Sequence, residues 1–274
     1  MNARVLVDGA ADGSVPVLDR GLLYGDGLFE TVLYVDGRAP LWSRHMMRLA
    51  VGCERLALPL PDPALLAAEA ARVIDARGRA VLRITLTRGM GARGYAPPER
   101  VQATRIVAAF AAPGIAAHWY AAGIRLRFCD TRLALQPRLA GIKHLNRLEQ
   151  VLARAEWNDP AIAEGLMLDT EGRVIAATAA NLFAVIDGRL CTPRLDRCGV
   201  AGVARAEVMA QLPTAERDLD PAVLARSSEI FLTSAVRGVL PVTTLAERAF
   251  AVGPVTRALQ AHWRTLGLLP EGMA

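Results

Sequence analysis

The sequence predicts a mixed α/β fold in two parts, a small N-terminal α+β domain over residues 1–112 and a larger domain over 113–274. Three observations carry this. Short apolar, β-branched runs bounded by Asp-Gly pairs alternate with longer alanine- and leucine-rich stretches that open on helix-starting residues. With 274 residues, the chain is long enough for one or two domains with a substantial core. Ala111-Ala112-Pro113-Gly114 breaks the pattern and is the best candidate for a linker between domains.

In chain order, Val5-Leu6-Val7 reads as a strand ahead of an Asp8-Gly9 turn, and residues 28–35 as a second strand ahead of Asp36-Gly37. Asp-Gly is favoured where both central residues of a tight hairpin need positive φ. Ser43 is placed to cap a helix running through Arg48 to Leu56, with Met47, Leu49, Val51 and Leu56 among its apolar residues. Pro63 suits a first helical position and starts a helix to Ala76. Residues 81–87 and 104–109 read as strands, as do 124–128 beyond the linker, and a helix is expected near 145–156. Leu166-Met167-Leu168 and Val174-Ile175 are strands around a Thr170-Glu171-Gly172 turn. Gly202 begins a helix, residues 230–232 form a strand, and 253–266 close the chain as a helix. There is no internal repeat.

Composition excludes several classes of function. No apolar run reaches the roughly 18–20 residues that span a bilayer, so no membrane partner is expected. The first residues turn polar too early for a signal peptide. Four cysteines (Cys53, Cys129, Cys191, Cys198) form neither a C-x-x-C pair nor a dense disulfide pattern, which makes a reducing cytoplasm the default. Four scattered histidines show no metal-ligand spacing, so no metal is expected. The net charge of +5 and pI near 9.4 raise the question of nucleic acid. However, arginines and acids are interspersed and aromatics are only 5%, without the interleaving that RNA-binding surfaces use. A basic cleft for a small anion accounts for the charge equally well. Gly89-Met90-Gly91-Ala92-Arg93-Gly94 fits G-x-G-x-x-G, but a dinucleotide site needs a helix to follow. Here Tyr95-Ala96-Pro97-Pro98 follows, and prolines drive the chain out of helical space. A flexible loop carrying Arg93 over a cleft is the better reading.

Lysine is the most informative residue. Of 32 Lys+Arg, one is lysine, Lys143, leaving 31 arginines (32 − 1). Arginine replaces lysine wherever positive charge suffices, but it stays protonated and cannot attack a carbonyl. A lysine amine can be made nucleophilic by burial or a nearby cation. Chance survival in an arginine-rich chain would also leave one lysine, so the neighbours have to decide.

Those neighbours, Gly141-Ile142-Lys143-His144-Leu145-Asn146-Arg147-Leu148-Glu149-Gln150, resemble the active-site segment of the aminodeoxychorismate lyases, class IV pyridoxal-phosphate enzymes related to branched-chain and D-amino-acid aminotransferases. Further matches run along the chain: Tyr24-Gly25-Asp26-Gly27-Leu28-Phe29-Glu30-Thr31, His45-Met46-Met47-Arg48-Leu49, Arg93-Gly94-Tyr95, Ala180-Asn181-Leu182-Phe183, Gly199 to Arg205 and Thr233-Ser234-Ala235. The resemblance implies the type IV fold of these enzymes, with a mixed, barrel-like sheet and flanking helices in the larger domain, which would carry Lys143. It implies pyridoxal 5′-phosphate as cofactor, Lys143 as Schiff-base lysine and general base, and a homodimer. For the cofactor phosphate it points to Arg48, to backbone at Gly202, Val203 and Ala204, and to Ser234 with Ala235. A free helix start and an arginine fork both suit a phosphate, although a solvated helix face for Arg48 and a turn hydroxyl for Ser234 are the plainer readings. Arg93, then Tyr24 and Arg147, are the candidates for an anionic substrate, and Arg147 has a neighbouring acid, Glu149, as an alternative partner.

The implied reaction is elimination of pyruvate from 4-amino-4-deoxychorismate to give 4-aminobenzoate; a class IV aminotransferase is the alternative. One departure bears on that choice. Five residues before Asn181, where relatives usually carry a glutamate beside the cofactor's ring nitrogen, this chain has Ala176. Without that carboxylate the cofactor is a weaker electron sink, which weighs against transamination more than against an elimination that makes an aromatic ring. Glu171 sits in a turn and is a poor substitute, which leaves Thr178 or a bound water to reach the nitrogen.

Overall fold

The computed structural model describes residues 4–269, so Met1 to Ala3, part of the start read above for a signal peptide, lie outside the described residues. The chain forms two compact units: residues up to Pro113 together with Ile142–Asn146, and Gly114–Gly141 together with Arg147 onward.

In the first unit, β1 (Arg4–Val7), β2 (Gly27–Val35), β3 (Arg79–Thr87) and β4 (Arg105–Ala111) make an antiparallel sheet in the order β1-β4-β3-β2. Helices α1 (Arg20–Tyr24), α2 (Trp42–Leu56) and α3 (Pro63–Val73) complete it. The two Asp-Gly turns form as local chemistry dictates. Asp8 and Gly9 have φ of 49° and 85°, Asp36 and Gly37 have 47° and 70°, and Val7 bridges Ala10 while Val35 bridges Arg38. Pro63 opens α3 behind Asp62, whose carboxylate accepts from the Ala64 N–H at 2.8 Å.

Helix α2 differs from expectation. It starts at Trp42, its N-cap Leu41 makes no side-chain bond, and Ser43 lies within the first turn. Its buried side is His45, Met46, Leu49, Gly52 and Cys53, whereas Met47 and Val51 face solvent.

The second unit holds α4 (Ala117–Ala122), β5 (Ile124–Phe128), α5 (Leu148–Arg154), β6 (Ile162–Leu168), β7 (Val174–Ala177), β8 (Asn181–Ile186), β9 (Arg189–Pro193) and α6 (Val203–Gln211). It continues through β10 (Ala215–Arg217), α7 (Pro221–Leu224), β11 (Glu229–Ser234), β12 (Gly238–Leu245), β13 (Arg248–Ala249) and α8 (Pro254–Thr265). Its mixed sheet runs β10-β9-β8-β11-β12-β5-β6-β7, with β13 on β12, and curls as a half-barrel. The pairs β10–β9, β12–β5 and β5–β6 are parallel. Phe183 and Phe231 stack 5.1 Å apart at its centre, on directly opposed positions of β8 and β11.

Helix α5 is shorter than the 145–156 pattern, ending at Arg154 and starting only at Leu148 because the segment before it bonds to β2. The Phe29 N–H donates to the Lys143 carbonyl and the Leu145 N–H to the Gly27 carbonyl, each at 3.0 Å. β2 is the edge of its sheet, and this segment covers that edge. Lys143, expected within a domain spanning 113–274, therefore packs in the first unit.

Candidate active site

In the first unit the backbone bonds to β2 fix Lys143, and its Nζ lies 4.2 Å from the centroid of the Phe29 ring. Gly27 allows the close approach, because a Cβ there would press on the Leu86 carbonyl and the Leu145 side chain. The Arg83 guanidinium lies over the same Phe29 ring at 4.1 Å. Arg83 comes from β3, is half-buried, and donates from Nε to Thr85 Oγ1 at 3.3 Å. Burial lowers its pKa, and among the described residues it makes no ion pair.

One residue beyond Phe29, Glu30 is buried to 1% exposure between two partners from α2. Arg48 donates to it twice, Nε to Oε1 at 2.8 Å and Nη2 to Oε2 at 2.5 Å, and His45 Nδ1 approaches Oε2 at 2.6 Å. Burial alone would raise the Glu30 pKa, but the charge and hydrogen bonds of Arg48, with the His45 contact, outweigh it and hold the carboxyl at about 2. For His45, burial lowers the pKa, and the Arg48 and Lys143 cations lower it further against the pull of Glu30. The imidazole is therefore neutral at pH 7 and donates from Nδ1.

Arg93 is exposed on the segment between β3 and β4, with no ion pair among the described residues, and no helix follows Gly94. Tyr24, at the end of α1, packs its ring on Tyr95 at 5.4 Å, under the Arg20 guanidinium at 4.9 Å. Of the expected residues of this unit, Lys143 and Arg48 lie at the Phe29–Glu30–His45 cluster, while Arg93 is on the loop whose Tyr95 packs on Tyr24.

In the second unit Gly202 is the N-cap of α6, with no side-chain cap, ahead of the buried Val203 and Ala204. A Cβ on Gly202 would overlap the side-chain oxygen of Asn181, whose Nδ2 donates to the Val200 carbonyl at 2.9 Å. Among the described residues no side chain caps the first N–H groups of α6, an arrangement that suits a phosphate. Ser234 ends β11, its Oγ accepting from the Arg237 N–H at 3.1 Å, and the half-buried Ala235 follows. Arg147 precedes α5, and burial pushes its guanidinium down to about 10 against the opposing charge of Glu149.

Ala176 is buried opposite Met167 in an apolar cluster that includes Cys129, Trp157, Leu195 and Cys198. Glu171 pairs with Arg173. The Thr178 hydroxyl donates to Glu164, which is buried and also accepts from Arg237 Nη2 at 2.6 Å. Among the described residues no cluster of His, Cys, Asp or Glu would hold a metal, and no helix is long and apolar enough to cross a membrane. Sequence reasoning missed Glu30, His45 and Arg83. An arginine inside the apolar run 81–87 was the one visible signal for Arg83.

The family model for class IV amino-transferases matches residues 27–245, and the chain belongs to this family. Within it, the chain is 34% identical to an aminodeoxychorismate lyase of Vibrio harveyi over 94% of this chain and 99% of that protein. The crystal structure of 4-amino-4-deoxychorismate lyase from Pseudomonas aeruginosa is 47% identical, with a TM-score of 0.91 over 95% of this chain and 98% of the other. The branched-chain amino acid aminotransferase of Escherichia coli, at 23% identity and a TM-score of 0.85 over 98% and 96% of the two chains, shares the fold.

Proposed function

We propose that this protein is a pyridoxal-phosphate-dependent lyase that converts 4-amino-4-deoxychorismate into 4-aminobenzoate and pyruvate. The observation that carries this reading is the chain's single lysine, fixed by backbone bonds along β2 with its Nζ against Phe29, in a protein similar to two such lyases.

The cofactor, when bound, supplies an imine-forming carbonyl and an electron-withdrawing ring that acidifies the substrate C–H beside its nitrogen. Lys143 would be the residue that holds the cofactor, and its amine would serve as the base that takes the proton from C4. Loss of that proton and departure of enolpyruvate from C3 leave an aromatic ring, so the product itself favours the step. Arg48 would hold the phosphate, and Glu30 braces its guanidinium through Nε and Nη2. In the second unit, the N–H groups after Gly202 and the Ser234 hydroxyl with the Ala235 backbone are the phosphate donors that the resemblance implies.

The substrate carries two carboxylates. Arg83, a half-buried cation with no carboxylate of its own beside the ring that Lys143 touches, is suited to one of them. Arg93 on its exposed loop and the desolvated Arg147 are the other candidates, with Tyr24 as a hydroxyl donor.

The test is incubation with aminodeoxychorismate while 4-aminobenzoate and pyruvate are followed together, beside an amino-group acceptor assay. Equimolar products without transfer to an acceptor are expected; transfer without 4-aminobenzoate would overturn the reading. Borohydride reduction should attach the cofactor to one internal peptide, that of Lys143, and Lys143→Arg should abolish both attachment and turnover.

A further inference from the structure

The loop that carries Arg93 runs from Arg88 to Ala103, between β3 and β4, and it is tied down at both its stem and its tip by two consecutive residues, Asp19 and Arg20. Asp19 is fully buried, and its Oδ2 accepts from Thr87 Oγ1 and Thr104 Oγ1, both at 2.8 Å, so one carboxylate oxygen holds the residues on either side of the loop. Arg20 reaches the tip. Its Nη1 donates to the carbonyls of Gly94 at 2.9 Å and Ala96 at 3.2 Å, and its Nη2 donates to the carbonyl of Tyr95 at 2.9 Å. Its Nε is held by Asp26 Oδ2 at 2.9 Å, which also takes Arg88 Nε at 2.8 Å.

Four of the five guanidinium donors are thus committed, three of them to successive loop carbonyls. Three carbonyls converge on one cation because Gly94 has φ of +107°, a conformation that L side chains rarely adopt. The cation lies 4.9 Å from the Tyr24 ring centroid, and Tyr95 packs on Tyr24. A loop in need of mobility would not be held this way: a buried arginine here (5% side-chain exposure) orders backbone that surface loops leave to water.

We propose that Arg20 is the positioning residue of this loop, holding Arg93 in its substrate-binding place before substrate arrives, so that the loop acts as a preformed wall rather than a lid that closes. This rests on the lyase reading only for what Arg93 binds; the anchoring itself is a property of the free protein.

Two variants test it. Arg20→Lys keeps a cation for Asp26 but cannot span three carbonyls. Gly94→Ala leaves Arg20 intact and adds a Cβ with nothing within 4 Å, so it acts through backbone strain alone. Hydrogen exchange of peptides over 90–99, measured without substrate, should quicken at least about tenfold in both variants while β3 exchanges as in the parent. In turnover, both should raise KM for aminodeoxychorismate with kcat nearly kept, and Arg20→Lys added to Arg93→Ala should raise KM no further. Unchanged loop exchange overturns the inference, and so do independent, multiplying penalties in the double variant. If the loop loosens while Arg93→Ala by itself leaves KM unchanged, the role given to Arg93 fails, and with it the positioning claim, whereas the lyase reading stands on its own product assay.

Discussion

Glu30 shows how a single residue ties the fold to the chemistry. A carboxylate at 1% exposure is tolerated because Arg48 and His45 satisfy both of its oxygens. Its pKa, about 2 against an ordinary 4.5, means that the unfolded chain takes up its proton first as pH falls. The stability it contributes is fully present above about pH 4.5 and is lost as pH drops from there through 2, on the order of 3 kcal/mol in all. His45, also lowered, acts in the same direction from its own ordinary range near 6.5 downward. Urea midpoints at pH 7 and pH 4 should therefore fall more for the parent than for Glu30→Gln, which starts less stable because it leaves the Arg48 charge poorly paired. Equal pH dependence in the two proteins would show that another group governs acid unfolding. Ala176 supports a second residue-scale prediction. Because it lies in an apolar cluster with Met167 and Trp157, Ala176→Glu would bury a carboxylate among apolar side chains. It should cost about 2 kcal/mol or more of stability and give no gain in amino transfer. A stable variant that transaminates D-alanine or L-leucine would show instead that the position tolerates a charge and that the lyase specialisation is reversible.

At the scale of elements, α6 is the piece most exposed to a one-atom change. Gly202→Ala would drive a Cβ into Asn181, whose side chain secures the Val200 carbonyl just ahead of the helix. The start of α6 would shift, and with it the bare N–H groups. Cofactor retention on dialysis should drop at least about tenfold, while Ser234→Ala, losing one hydroxyl bond, should cost only about 1 kcal/mol. Retention equal to the parent in Gly202→Ala would move the phosphate elsewhere. Elements whose causes are local were legible in the sequence: the Asp-Gly turns, Pro63 behind Asp62 and the strand at 124–128 each follow from residues within a few positions. Elements whose causes are distant were not. Helix α5 loses its first turn to β2, more than a hundred residues earlier, and α2 starts before Ser43 without a side-chain cap. The site divided in the same way. The lone lysine and the glycine helix start announced themselves by residue type, whereas Glu30, His45 and Arg83 matter through strand register and helix face, which no short motif displays.

At the scale of the whole molecule, each unit leaves large apolar side chains in water. In α5, Leu148, Val151 and Leu152 are 68%, 61% and 54% exposed at i, i+3 and i+4 spacing, which places them on one face of a short helix. In the first unit, Val17, Leu18 and Leu22 are exposed around α1, and Met47 and Val51 lie one turn apart on α2. Singly exposed apolar residues need no explanation, but a helix that turns its apolar face outward does. A second copy would cover them if the protein is the homodimer that the family resemblance implies. Each leucine removed from water contributes roughly 1.5–3 kcal/mol, so a charge in its place would weaken association by at least about tenfold. Sedimentation at micromolar concentration should therefore give a dimer for the parent and a concentration-dependent monomer for Leu148→Glu with Leu152→Glu. Both substitutions fall on solvent-facing positions of the single chain, so its thermal unfolding should change little at concentrations where it is already monomeric. A parent that sediments as a monomer, or a dimer that both glutamates leave intact, would show that these faces serve something other than self-association.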